Sequence, residues 1–509
     1  MDDRDWSSEH DRARAPVYAE READWRVGAV VYQAMVDRFA PPADLESKRH
    51  LYPAPKRLME WREPARARER LVELGVWGHE VDFWGGDIAS VRTRLDHLAR
   101  IGVDVLYLNP IHEAFTNHKY DALDYAAVSP EFGTREDVKG LASDLHRRGM
   151  RLMLDGVFNH MGRNAPIFVD AVRSPTSPWR DWFFIGPEFE RGYLGWWNIA
   201  NLPEVRLESP LVRSRLWGDG DSVVRGWLRD GVDGWRLDVA YDIGFAFLKE
   251  LTDAAHEEKP GSWVVGEVWN YPEEWTPALD GVMNFHAREI VLRFLDGQIP
   301  GGRAGRMLDA MIRDAGIEAT LRSWIVMDNH DTARLAHRLP DPDRRRTARV
   351  LQMTLPGAPC VYYGSEVEMD GGDDPGNRSP MRWDLVADDN PDFAWFLRLV
   401  SIRRASRALR LGDWRVLDSD RLLAFLRRTE RWSETVVVLA NALDDPVREC
   451  VAVRDSKLMN YAPLVDALSG GKVVVNAGLI EVTVPARSVM LLRPPADEPG
   501  RYSPYERVR

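Results

Sequence analysis

The residues best suited to chemistry stand at the ends of short apolar runs. Asp155, Asn159 and His160 close RLMLDGVFNH, and Glu267 ends WVVGEV, all but its last residue. Arg236 and Asp238 lie two apart in DGWRLDV, so their side chains share one face of a strand. Asp328, Asn329, His330 and Asp331 follow one another in RSWIVMDNHD. Each acidic residue alone reads as a turn residue or helix cap. Gathered on one rim, the carboxylates, the arginine and the two histidines have the makings of a catalytic site. No P-loop and no Ser or Cys nucleophile motif accompanies them.

That gathering requires a frame. Eight strand-like runs occupy 29–39, 103–110, 151–159, 232–239, 262–268, 280–285, 322–331 and 359–366. Amphipathic segments such as IASVRTRLDHLARIG and REDVKGLASDLHRRG lie between most of them. Apolar strands alternating with helices imply a parallel sheet buried on both faces. Eight such units predict an α/β fold, a (β/α)8 TIM barrel over 25–409, with its site at the C-terminal strand ends. A doubly wound dinucleotide-binding sheet lacks its G-x-G-x-x-G after a strand. Two long insertions, 40–85 and 161–215, interrupt the alternation, and loops of that length are usually functional. Short runs separated by turn residues over 410–495 predict a C-terminal antiparallel β-sandwich. Residues 1–24 and 496–509 read as poorly ordered tails.

The segments LDGVFNH, DGWRLDVA, VVGEVWN and MDNHD resemble four signature regions of the alpha-amylase family of glycoside hydrolases. NPIHEAFTNHKYDALDY, GAPCVYYGSE and DDPGNRSPMRWD resemble three further stretches, and the likeness runs in the family's order from about 27 to 405. It implies a barrel with 161–215 as a protruding domain B and a C-terminal β domain. It also implies Asp238 as nucleophile, Glu267 as acid/base and Asp331 as stabiliser of the transition state, with Arg236 holding Asp238 ionised. Val265, Val268 and Trp269 would give Glu267 an apolar surround. Substrate contacts implied in the same way are His118, Tyr120, Asp121, Asp155, His160, Trp269, His330, Asp374 and Arg378. A retaining mechanism predicts that the two catalytic carboxyl groups lie about 5–5.5 Å apart.

NHKYD, GWWNIANLPEV and DDPGNR are most similar to the cyclomaltodextrinase, neopullulanase and maltogenic amylase branch. That implies α-1,4 hydrolysis of maltooligosaccharides or cyclodextrins, with an α-glucosidase or glucosyltransferase as the alternative. Asp374 and Arg378 would then close the non-reducing side. A catalytically silent carbohydrate-binding homologue would typically have lost a carboxylate, and all three are in place. Tyr241 and Asp242 depart from the family's usual residues after the nucleophile. The first strand begins near residue 29, leaving no room ahead of it for the branch's N-terminal β domain, and the 40–85 insertion is a candidate replacement for that wall.

Composition narrows the remaining classes. The 509 residues carry a net charge of −12 and no Lys/Arg run, which argues against nucleic acid, and no apolar stretch suits a membrane span. The N-terminal stretch lacks the apolar core of a secretion signal, and two cysteines do not make a disulfide framework, so the cytoplasm is the expected compartment. The protein is expected as a monomer or homodimer. No cofactor is expected for the chemistry, although calcium near domain B with Asn117 as ligand is an option the resemblance allows. The HEAFTNH stretch lacks the spacing of a zinc helix. Of 20 Trp, seven (61, 77, 84, 182, 196, 197 and 269) fall in segments expected to wall a cleft, while Trp235 and Trp324 fall within strands.

Overall fold

The computed structural model describes residues 8–495 and Tyr505. Eight parallel strands close into a barrel in sequence order: β1 Val31–Ala34, β2 Val105–Leu108, β3 Arg151–Gly156, β4 Gly234–Leu237, β5 Trp263–Val268, β6 Gly281–Asn284, β7 Trp324–Val326 and β8 Ala358–Tyr362. Each meets one of the eight apolar runs. The strands alternate with helices, and their residues are almost all buried because helices cover the outer face.

Inward positions fill the barrel in layers. Val31, Val105, Tyr107, Met153, Trp263, Val265, Met283, Trp324, Val326 and Cys360 pack together in an apolar plug. Two residues further along, the same inward faces carry Gln33, Asn109, Asp155, Glu267 and Asp328, every one buried. The period of a strand therefore lays a polar layer on an apolar one at the C-terminal end. Trp235 and Trp324 are fully buried.

The C-terminal domain holds β9 Asp413–Val416, β10 Leu423–Arg428, β11 Val436–Asn441, β12 Val447–Ala452, β13 Pro463–Asp466, β14 Lys472–Asn476, β15 Leu479–Val484 and β16 Ser488–Arg493. The expected sandwich is one antiparallel sheet, β9-β10-β11-β16-β13-β14-β15-β12, curled around a core of Leu426, Val437, Val451, Ile480 and Leu492.

The N-terminal expectation is corrected for most of 1–24. Glu9–Ala23 forms a helix, α1, begun by a capping box between Ser8 and Asp11. Asp413 clamps it, accepting from Arg14 at 2.8 Å, Tyr18 at 2.7 Å and buried Arg21 at 2.9 Å. Charged side chains rather than an apolar stripe dock α1, so its periodicity gave no helix signal. Residues 1–7 lie outside the described residues, as does 496–509 apart from Tyr505. That residue is buried, its ring stacked 3.6 Å from Trp432. Among the described residues no helix is long and apolar enough to cross a membrane.

Candidate active site

Arg236, on the inward face of β4 and fully buried, organises the polar layer. Its Nη1 donates to Asp155 and to Asp238, each at 2.9 Å, and its Nη2 lies 2.9 Å from Glu267 Oε2. Three carboxylates thus surround one guanidinium. Burial pushes the Asp238 carboxyl well above the ordinary carboxylate range; Arg236 opposes this, and the charges of Glu267 and Asp155 add to it. Burial raises Asp155 as well, against Arg236. Protons in such a cluster belong to the group rather than to one residue.

The expected apolar surround of Glu267 is instead a ring of donors. Oε2 accepts the Val239 N–H at 3.0 Å, and Oε1 accepts Trp269 Nε1 at 3.0 Å. Val239 reaches Glu267 from the left-handed region (φ 40°, ψ 48°), a conformation a β-branched residue avoids at a cost of about 1–3 kcal/mol. The strain falls directly after Asp238. Trp269 itself stacks on Phe285 at 3.7 Å and stays partly open.

On the opposite rim Asp331 is exposed, bridged by His330 Nε2 at 3.0 Å and Arg378 Nη2 at 3.2 Å. Burial lowers the His330 pKa well below the imidazole value, so the ring is neutral. Gln33 Nε2 meets its Nδ1 at 2.8 Å, which places the ring proton on Nε2, towards Asp331 and the Tyr120 hydroxyl 2.6 Å away. Tyr120 lies parallel to His330 and also donates to Asp155 at 2.9 Å. Burial pushes His160 down to about 3. Its Nε2 stands 3.9 Å from Asp238, and Trp196 stacks on its ring. His118 accepts the Tyr120 N–H at 3.1 Å and lies 3.4 Å from Glu80. Arg378 contacts Asp374 at 3.4 Å and donates to the His330 carbonyl at 2.8 Å.

Two expected substrate contacts are spent on partners inside the protein, and the loop beside them is tied down by Asn117. Asp155 lies beneath Arg236, spending its oxygens on that residue, Tyr107 at 2.6 Å and Tyr120, so it positions groups and does not reach the rim. Asp121 is buried, accepting from Thr116 and from Asn201 of domain B at 3.4 Å. Asn117 donates both amide protons, at 2.8 Å each, to the carbonyls of His79 and Asp82. Among the described residues no group of three or more His, Cys, Asp or Glu is placed to hold a metal ion. Two of the seven Trp are also misplaced by the expectation. Trp84 is buried under Arg38 and Trp182 is buried in domain B, whereas Trp77, Trp197 and Trp269 are exposed.

Gln33, Asn109, Tyr107, Val239, His79 and Glu80 were not singled out from the sequence. Gln33 and Asn109 carried a usable signal: a polar residue on the inward face of an otherwise apolar run must bond something. The backbone of Val239 carried none.

A family model described as "Alpha amylase, catalytic domain" matches residues 54–396. The cyclomaltodextrinase of a Bacillus sp. is 36% identical over 374 residues, 70% of this chain and 66% of that protein. The chain thus spans just under two thirds of that relative. Neopullulanase 2 of Thermoactinomyces vulgaris is 31% identical over 490 residues, 92% of this chain and 78% of that protein. Among solved structures, the ligand-free cyclic alpha-maltosyl-(1-->6)-maltose hydrolase of Arthrobacter globiformis superposes with a TM-score of 0.77 at 28% identity, covering 92% of this chain and 100% of that one.

Proposed function

Because the chain belongs to the alpha-amylase family, we propose that it is a retaining glycosidase of the cyclomaltodextrinase and maltogenic amylase kind, cleaving α-1,4 bonds of maltooligosaccharides and cyclodextrins. One observation carries this reading. Asp238 and Glu267, from neighbouring strands, share the two arms of a single buried guanidinium, each at 2.9 Å. That leaves one carboxylate to attack and one to manage a proton within the space of a sugar ring.

In this mechanism Glu267 gives a proton to the glycosidic oxygen as Asp238 attacks the anomeric carbon. The C–O bond to the leaving sugar breaks, and an ester to Asp238 forms. Glu267, now ionised, takes a proton from water as that water displaces Asp238. Burial holds the neighbouring Asp238 and Asp155 carboxyls above the ordinary carboxylate range. Asp331, held by His330 and Arg378, would receive hydroxyls of the same ring, and neutral His160 would offer a second contact. The carboxylates alone supply this chemistry.

The test is a substrate panel of β-cyclodextrin, maltotriose, pullulan, sucrose and starch, with the anomer of the first product read by NMR. Release of α-anomeric maltose or glucose, fastest from cyclodextrin and maltotriose, is expected. β-anomeric products would overturn retention, and fast starch hydrolysis with little action on cyclodextrin would overturn the choice of branch.

A further inference from the structure

The 40–85 insertion ends in a tightly pinned turn. Arg70–Leu71 pairs antiparallel with Val76–Trp77, with Arg70 opposite Trp77. At Gly78, which follows Trp77, a Cβ would come within 2.9 Å of Arg68 Cβ and the Glu69 carbonyl oxygen, so only glycine closes this turn. Beyond it, Asn117 secures the chain three times, its N–H to Glu80 O and its amide to His79 O and Asp82 O, all at 2.8 Å. Glu80 accepts the Trp77 N–H and pairs with His118. The insertion is therefore fastened to the same loop that carries His118 and Tyr120.

This fastening presents an aromatic ring. Trp77 is 50% exposed, and the His79 ring lies nearly parallel to it, 15° between planes and 6.1 Å between centroids. His79 Nε2 stands 3.9 Å from Asp374, Asp374 contacts Arg378, and Arg378 contacts Asp331. Burial lowers the His79 pKa. The Asp374 carboxylate is 40% exposed and open to hydroxyl donors. A flat apolar face edged by hydrogen-bonding groups is what binds the C–H face of a pyranose ring.

We propose that Trp77, backed by His79 and edged by Asp374, is a stacking platform for a glucosyl unit one or more rings beyond the one held at Asp331 and Arg378. The 40–85 segment thereby supplies the chain's own wall on that side of the cleft. This rests on the glycosidase reading above.

The experiment uses the full-length Glu267→Gln protein, which would bind without turning over, titrated calorimetrically with maltose, maltotriose and maltotetraose. Trp77→Ala and Trp77→Phe are added to it. With Trp77 present, affinity should rise with chain length. Trp77→Ala should weaken maltotetraose binding about tenfold, a stacking contribution near 1.4 kcal/mol, while Trp77→Phe retains most of it. Equal maltotetraose affinity in all three proteins would overturn the platform alone. A parent that binds none of the sugars, with a wild type that turns over nothing in the panel, would overturn the platform together with the glycosidase reading. Trp77 is a surface residue, and an unchanged melting temperature verifies that the variants fold.

Discussion

The two walls that flank the carboxylate cluster are built on opposite principles. The 40–85 wall is saturated with polar tethers. Asp37 receives the Trp84 and Gly85 amides, Asp82 takes Arg57 and Arg68, and Asn117 ties the last turn to the rim. Domain B joins the barrel through the His160–Glu204 bridge, through Asn201 donating to Asp121 at 3.4 Å and Trp196 donating to Asp242 at 2.7 Å, and through an apolar core it shares by way of Phe183, Val205 and Leu207. At its tip Trp197 and Asn198 both lie in the left-handed region, at φ 48° and 59°, and Trp197 is 73% exposed. A wall whose donors and acceptors are paired has one shape and excludes. A wall seated largely on apolar contact, with left-handed backbone at Trp197 and Asn198, suits groups of differing size.

The largest effect should come from what both walls share. Glu267→Gln is expected to lower kcat about 10²- to 10⁴-fold on every substrate in the panel while sugar binding persists. A loss confined to one substrate would put the chemistry in a wall. Next is the cluster's titration. In the proposed mechanism Asp238 attacks as the carboxylate, and its pKa is raised, so the acid limb of kcat/KM should lie above the ordinary aspartate value of about 3.9. Asp155→Asn removes one of the charges raising it, so the limb should move to lower pH even as the maximum rate falls. A midpoint that stays put or rises would break this account. The linked stability has the matching sign: a carboxyl raised on folding adds stability that is complete below its unfolded value and is lost as pH climbs through the folded one.

The comparison of walls is tested by smaller effects. Asn117→Ala removes the two side-chain hydrogen bonds to the His79 and Asp82 carbonyls, a local loss of about 1–3 kcal/mol. Limited proteolysis should then nick 40–85 faster than domain B; unchanged protection would mean the tether is not what holds that wall. Trp197→Ala is the mildest. It should leave the melting temperature within about 1 °C and the rate on maltotriose within about twofold, while shifting the ratio of transfer to hydrolysis when a sugar acceptor is added. A strong loss of stability would show that domain B is anchored at its tip.

Much of this molecule was legible in its sequence. Eight apolar runs fell on eight strands because a strand buried on both faces needs little beyond continuous hydrophobicity and length. Arg236 and Asp238 share a face because the period of a strand is two, and the tertiary structure could only honour that. The helix Glu9–Ala23 was not legible, since what fixes it is Asp413, some 390 residues away, and ion pairs leave no periodicity. That Asp155 and Asp121 are buried and spend their oxygens on internal partners was not legible either, because depth below a rim is not written in a motif.

The sequence by itself determined the layered barrel and put acidic residues at the ends of its strands, both consequences of short-range pattern. Only the tertiary structure decided how charge is shared among them. One guanidinium answering three carboxylates, a strained Val239 amide aimed at Glu267, and Asn117 spent on holding a wall all depend on distances between segments far apart in the chain. Electrostatic and hydrogen-bond energies are set by those distances, which local propensity does not encode.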